Sequence, residues 1–590
     1  MRKIIPLICV ILCINVFFNS CKKNKVDEQY QETVHPVVPD LSTQINASVS
    51  GFVTNENGEA VEGATVAKGT KTTLTDQFGY FKLDSVDFAK SAGFIKVTKT
   101  GYFSGIRTFI PSAGKQAFIR LQLIPNTIGG TLNSDIGGTV STAEGASVTL
   151  APNSVVLASG NAPYTGTVNI AVHWLNPADM DVTQLTMPGN LTGIDSDGHL
   201  NALTTFGMLA VELTNDAGEL LQIASGMQAS LNFPIPASLQ GSAPASIPLW
   251  YFDENIGLWK QDGSATKTGN NYSGNVSHFS YWNCDQPSVV TSFTAQIINS
   301  SLQPIPNVAV SLTIQGSTNS NASATAYTNS DGRVSGFIPI NTSFTLKIGS
   351  ECDPTAYTKD FRSTTATVDL GSIQLDVSQY DATFTGNITN CSGNPVTNGY
   401  VIIAAALHTY VAELNNGVFN VPAMICPNTS ASVIAFDRTT FQQSMVQNFT
   451  LQTGANDFGM IQVCNPGTDE YITYVLDGVP SGLYVPYHLF TGNFYFSNDS
   501  TNIHGFDQIN SNTSFDLSFG GADIAGTHSV IGGKMILNNM NYTGTFEPVE
   551  ISAYGLIDEF ITGTFSSIGL VDDFGVPHTI TGTFNIKRDQ

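Results

Sequence analysis

Val49-Ser50-Gly51-Phe52-Val53, then Asn55-Glu56-Asn57-Gly58, Ala60-Val61-Glu62-Gly63-Ala64-Thr65-Val66 and, after a polar run, Thr75-Asp76-Gln77-Phe78-Gly79-Tyr80-Phe81-Lys82-Leu83 make up one stretch, residues 48–83. It reads as a strand of period two, an Asn/Gly turn, a second strand, and an Asp-x-x-Gly turn into a third. Further on, Ile95-Lys96-Val97 running into Gly101-Tyr102 predicts a strand and a Gly turn, and Phe118–Leu123 a closing strand. The unit so outlined spans 47–124.

The pattern returns twice. At 290–376, Pro304-Ile305-Pro306-Asn307-Val308 stands for the second strand and Thr328-Asn329-Ser330-Asp331-Gly332 for the acidic turn. At 380–465, Gly386-Asn387-Ile388 precedes Cys391-Ser392-Gly393-Asn394-Pro395, with Asn416-Gly417 later. Repeats of about 85 residues exceed a solenoid unit and suit a string of independent sandwiches set end to end. The Gly63-Ala64-Thr65-Val66, Thr75-Asp76-x-x-Gly79-x-Phe81 and Thr100-Gly101-Tyr102 pieces together resemble the carboxypeptidase regulatory-like domain, which implies a seven-stranded sandwich of transthyretin type. Between the first two copies, 130–285 forms a different β-sandwich unit. Its opening, Gly137-Gly138-Thr139-Val140 through Tyr164-Thr165-Gly166, resembles the sandwich of zonula-occludens and netrin-receptor proteins. Its later part, Phe206-Gly207-Met208 to Trp282-Asn283, is similar to a unit of cartilage intermediate layer proteins. The last unit, 466–590, repeats Thr-Gly-Thr-Phe at 543–546, 562–565 and 581–584, which predicts alternate strands of a meander with about eight residues each. The expected fold class is all-β: tandem β-sandwiches, Ig-like or transthyretin-like, with a C-terminal antiparallel β-meander domain.

Composition agrees with many short strands. Only 12% of the 590 residues are charged, and Gly numbers 54. Arg2 and Lys3 precede an uncharged apolar run from Ile4 to Phe18, shorter than the roughly 20 residues of a membrane span, so residues 1–20 read as a signal peptide. The run ends Phe18-Asn19-Ser20-Cys21, which resembles a bacterial lipobox and implies lipidation of Cys21, followed by a tether over 21–46 that opens with Lys22, Lys23 and Lys25. Regulatory-like units behind such a signal resemble lipoproteins of the Bacteroidetes type. The expected location is therefore the outer membrane, on its periplasmic or cell-surface face, with the lipid as membrane contact. Without Arg2 and Lys3, 22 of the 24 basic residues remain against 47 acidic ones, a formal net charge of −25. Such a surface opposes nucleic acid, which needs a basic footprint.

Little in the sequence selects a chemistry. After Cys21 come Cys284, Cys352, Cys391, Cys426 and Cys464, none in a Cys-x-x-Cys or zinc-like spacing, so no metal and no cofactor is expected. An odd count leaves at least one unpaired within a monomer, and one disulfide is expected among Cys391, Cys426 and Cys464. All four tryptophans, Trp174, Trp250, Trp259 and Trp282, fall in the second unit. They are candidates for stacking on a glycan, although strand tryptophans more often fill sandwich cores. The acidic turns Asp195-Ser196-Asp197-Gly198, Asp253-Glu254 and Asp572-Asp573 offer oxygens to calcium, but Asp and Gly are also what tight turns demand. The nine histidines are scattered, with His278 and His578 expected to be packed or turn-bound. No His-Glu-x-x-His, Gly-x-Ser-x-Gly or Walker loop occurs. A hydrolase would need a carboxylate pair or triad converging in one pocket. The chain is thus expected to be a non-catalytic structural, adhesive or interaction scaffold of the envelope whose partner, protein or glycan, the sequence does not name, and alternatively a carbohydrate-binding surface lipoprotein.

Overall fold

The computed structural model describes residues 36–589, apart from 318–321, 349–356, 376–380, 406–407, 427, 441, 467–469, 485–487, 496–498, 508–512, 538–539 and 558. The signal peptide, Cys21, the greater part of the tether, and Cys352 lie outside the described residues. The described chain is all-β, with one short α-helix at Met180–Thr186.

In the first unit the strands are β1 (Gln44–Thr54), β2 (Thr65–Lys68), β3 (Lys71–Leu74), β4 (Tyr80–Ala89), β5 (Gly93–Thr98), β6 (Gly105–Phe109) and β7 (Gln116–Gln122). They form two sheets, β4-β1-β7 and β3-β2-β5-β6, with β1 antiparallel to β4 and parallel to β7. Alternation along each strand sends Val49, Val53, Val66, Phe81, Ile95, Val97, Ile119 and Leu121 into one core between the sheets.

Two side chains fix the acidic turn. Thr75 Oγ1 donates to the Val61 carbonyl at 2.6 Å and accepts from Ala64 N–H at 2.8 Å. Asp76 Oδ1 accepts from the N–H groups of Phe78 and Tyr80, each at 3.0 Å. Gly79 closes the turn at φ +69°, where a Cβ would sit 2.3 Å from the Val53 carbonyl oxygen. The same atoms recur in the second copy: Thr328 donates to Ile305 and accepts from Val308, while Asn329 Oδ1 accepts from Asp331 and Arg333. The antiparallel-plus-parallel arrangement of the central strand recurs as well, around Tyr281–Ile298 and around Asp381–Asn390.

Two expectations change. The break placed between 285 and 290 falls inside a single strand, Tyr281–Ile298, whose first half pairs in the second unit and whose second half is the central strand of the third. The units are also not independent beads set end to end, because the first packs against three others. Phe94, Phe103 and Ile106 join Trp250, Phe252, Trp259 and Tyr281 of the second unit in one apolar cluster. Phe52, Tyr80 and Phe118, on the opposite sheet, join Tyr400, Ile402, Val411, Ile434 and Phe436 of the 380–465 unit in another. Lys115 pairs with Asp331 at 3.0 Å, and Phe118 lies edge-on to Tyr327 at 5.6 Å. The physical reason is that both outer sheet faces of the first unit carry aromatics, which water disfavours.

In the last unit the Thr-Gly-Thr-Phe copies explain one another. Phe565 lies opposite Gly582, and Gly563 opposite Phe584, on the paired strands Phe560–Asp572 and Pro577–Lys587. A Cβ on Gly582 would come 2.3 Å from the Phe565 ring, and one on Gly563 would come 2.7 Å from that of Phe584. Each phenylalanine thus covers the glycine of the neighbouring copy. These two copies occupy adjacent strands, not alternate ones, because the strands run to 13 and 11 residues.

Candidate functional site

A groove of about 410 Å³ lies where the first unit meets the second, within the size range of small-molecule sites. One wall comes from β5. Ile95 and Val97 enter the core, so Phe94 and Lys96 point outward. Lys96 Nζ reaches Glu254 Oε2 at 2.6 Å. Glu254 stands in the turn Asp253–Gly257, which is held against the first unit because Thr108 donates to the Gly257 carbonyl at 2.5 Å. Gly257 lies at φ +72°, and a Cβ there would come 2.4 Å from the Phe94 ring, so the turn must be glycine.

The second unit supplies the rest. Glu212, on strand Leu200–Thr214, is half-buried and accepts from the Asn126 amide. Burial pushes its carboxyl above the ordinary range; the Asn126 hydrogen bond opposes this and the charge of Glu254 adds to it. Tyr281 closes the floor and donates to the Ser104 carbonyl at 3.2 Å. Tyr251 is half-buried, with His278 edge-on at 4.7 Å and Trp282 at 5.7 Å. Burial pushes the His278 imidazole below its ordinary range, so it presents a neutral ring. Glu212 and Glu254 are a carboxylate pair in one groove that sequence reasoning missed. Glu254 could be read as turn chemistry or a calcium ligand, and Glu212 is the single charged residue of an otherwise uncharged strand.

The second meeting place, between the first and the 380–465 units, is polar at its rim. Glu413 accepts from both Arg438 guanidinium nitrogens at 2.9 Å, from the Tyr80 hydroxyl at 2.7 Å and from Lys82 at 3.3 Å. Burial alone would raise the Glu413 carboxyl; Arg438 and Lys82 outweigh it and hold it below its usual value. Arg438 also covers the Tyr400 ring at 4.5 Å. The Tyr400 hydroxyl donates to Asp76, whose carboxyl burial pushes up to about 6 despite that bond.

The tryptophans are a correction. Trp250, Trp259 and Trp282 are fully buried, and their indole N–H groups donate to the carbonyls of Asp285, Asn190 and His278. Trp174 is half-buried against the core of its unit. Trp250, Trp259 and Trp282 offer no open face for a sugar, the first two lying in the seam with the first unit and the third in the core of its own unit. The acidic turns are spent locally: Asp195 Oδ1 accepts from Asp197 and His199 N–H, Asp253 from Asn255, and Asp572 from Phe574 and Val576. Asp195, Asp197 and His199 have ligand atoms within 4.8 Å of one another, the site being one more such turn. His578 is turn-bound, its Nδ1 lying 2.5 Å from Asp477 and Nε2 3.4 Å from Asp572. Cys391 is joined to Cys464 across 73 residues of sequence. Cys426 is disulfide-bonded outside that pair. Cys284 is free and buried, and burial pushes its thiol well above the ordinary range, which makes it inert.

No protein-family model matches the chain. Human cartilage intermediate layer protein 2 is 30% identical over 107 residues, covering 18% of this chain and 9% of that protein. Pig (Sus scrofa) cartilage intermediate layer protein 1 is 29% identical over 104 residues, 17% of this chain and 16% of the other. The matches therefore span less than a fifth of either relative. Among solved structures, a streptococcal ancillary pilin aligns over 39% of this chain and 95% of its own at 10% identity and TM-score 0.14. The shaft pilin SpaA of Lactobacillus rhamnosus GG aligns over 30% and 99% at 9% identity and TM-score 0.17. The Bacillus anthracis TIE protein aligns over 85% and 71% at 8% identity and TM-score 0.14. At such scores none of the three bears on function.

Proposed function

We propose that this protein is a lipid-anchored, non-catalytic scaffold of a bacterial outer membrane. The observation that carries the reading is the double docking of the first unit: an apolar seam on each of its sheets, one rimmed by the Glu413 cluster. Seams of that kind keep separate sandwiches at fixed positions, which a presenting or adhesive body needs and a flexible string of domains does not supply. The state of the groove carboxyls supports holding over turnover. Glu254 is paired with Lys96 at 2.6 Å and Glu212 accepts from Asn126, so both carboxyls are already engaged by the protein's own groups.

The anchor is tested by expressing the full chain and its Cys21→Ser variant in a lipoprotein-exporting host, with an alkyne fatty acid as label. Labelled wild type in the membrane pellet and an unlabelled variant in the soluble fraction are expected. An unlabelled wild type would refute anchoring. Turnover of chromogenic glycosides that disappears in Glu212→Gln would replace the scaffold with a hydrolase.

A further inference from the structure

We propose that the groove between the first two units binds a short, uncharged saccharide. Four observations converge on that class. The cavity is of small-ligand size, and half-exposed Leu220 is among its lining residues. Its charges are largely cancelled: Lys96 holds Glu254 at 2.6 Å, and Lys260 lies 3.8 Å from Asp253. What is left favours the acidic side through Glu212, which opposes phosphate, sulfate and uronate ligands. Glu212, half-buried in the groove wall, offers its carboxylate oxygens as acceptors to sugar hydroxyl groups. Tyr251 supplies a ring surface for the C–H face of a sugar, with neutral His278 edge-on to it and Lys260 Nζ over the ring at 5.8 Å from its centroid. Trp250, Trp259 and Trp282 are fully buried, whereas Tyr251 is half-buried and lines the groove. The groove exists only while the units are docked, since Lys96, Phe103 and Ser104 come from one and the remaining walls from the other.

Trp282 makes the proposal measurable, lying 5.1 Å from His278 and 5.7 Å from Tyr251. The full chain is titrated with maltotetraose, cellotetraose, xylotetraose and chitotetraose, following tryptophan emission and, in parallel, heat by calorimetry. A saturable signal with at least one of them is expected, with a dissociation constant of about 0.1–1 mM. Tyr251→Ala should weaken it by at least about tenfold and Tyr251→Phe should leave it within about threefold. Glu212→Gln keeps an acceptor oxygen and should retain binding, whereas Glu212→Ala should not; thermal unfolding of each variant separates lost binding from lost folding. No saturable response to any of the four would overturn the proposal. So would binding that survives both Tyr251→Ala and Glu212→Ala, or a preference for an anionic oligogalacturonide. Release of shorter sugars would instead refute the non-catalytic reading, leaving binding in place.

Discussion

Asp285 is fully buried, with Asn283 donating to its Oδ2 at 2.6 Å and Trp250 to its main-chain oxygen at 3.1 Å. Burial drives its carboxyl well above the ordinary range, with the Thr205 hydroxyl only partly opposing. A folded pKa above the unfolded one means that stability is fully present below about pH 4 and is lost as pH rises toward the folded value. Asp285→Asn removes this term and keeps an acceptor for Asn283. It should therefore raise the unfolding temperature at pH 7 and change it little at pH 4. Asp285→Ala strands the Asn283 amide and should destabilise at both pH values, by about 1–3 kcal/mol. A fall at pH 7 for the Asn variant would show that the carboxyl is ionised in the fold. His578 is raised too, chiefly by Asp477, with burial opposing and Asp572 assisting. Its contribution is fully present below about pH 6.5 and disappears as pH rises through the folded value. His578→Gln should flatten the pH dependence of C-terminal unfolding between pH 6 and 9, read by scanning calorimetry; an unchanged slope would reject the assignment. The buried Asp285 was not legible in sequence, and His578 could be read as packed or turn-bound but not paired with Asp477. A lone Asp beside a Cys, or a His in a strand, carries no mark of the partner that a distant strand brings to it.

Elements were far more legible. Thr75-Asp76-x-x-Gly79 could be read as a turn because each residue type has one job there, and the structure repeats those jobs at Thr328–Gly332. The seams could also have been read, and were not. Strands hold adjacent bulky doublets, Phe52-Val53, Tyr80-Phe81 and Phe118-Ile119, and neighbours on a strand face opposite sides. One of each pair fills the core; the other needs a partner outside the unit. Periodicity shows that such a partner exists and cannot say which unit provides it, nor that Arg438 and Glu413 would rim the contact. The rim gives a direct test. Arg438→Ala leaves Glu413 with Lys82 and Tyr80 in a partly buried place, and should cost about 2–4 kcal/mol. Glu413→Gln together with Arg438→Met should recover much of that, since a well-packed neutral pair avoids the desolvation of two charges. Denaturant midpoints of the wild type, Arg438→Met, Glu413→Gln and the double variant, in a double-mutant cycle, would decide it, and additive losses would mean that the pair is not coupled.

For the whole molecule, the question is whether seams or units set the unit of folding. Separate sandwiches joined by linkers would melt one by one, each near its own temperature. Here the first unit shares buried aromatic clusters with the second and with the 380–465 unit, and the strand Tyr281–Ile298 ties the second to the third. Unfolding any one of these four exposes apolar surface on another, a penalty of about 25 cal/mol per Å² uncovered. Residues 47–465 should therefore unfold in one calorimetric transition, with the 466–590 unit, which has its own core, in a second. Ile402→Lys places a charge in the 380–465 seam without touching that unit's inner core, which is built from Val401 and Ile403 on the opposite strand face. The large transition should then split, the 380–465 unit melting first while the remaining three stay coupled. A wild type that already shows four resolved transitions would mean that the seams do not hold the units together. The groove between the first two units would then be a transient feature, and the scaffold reading would lose its structural basis.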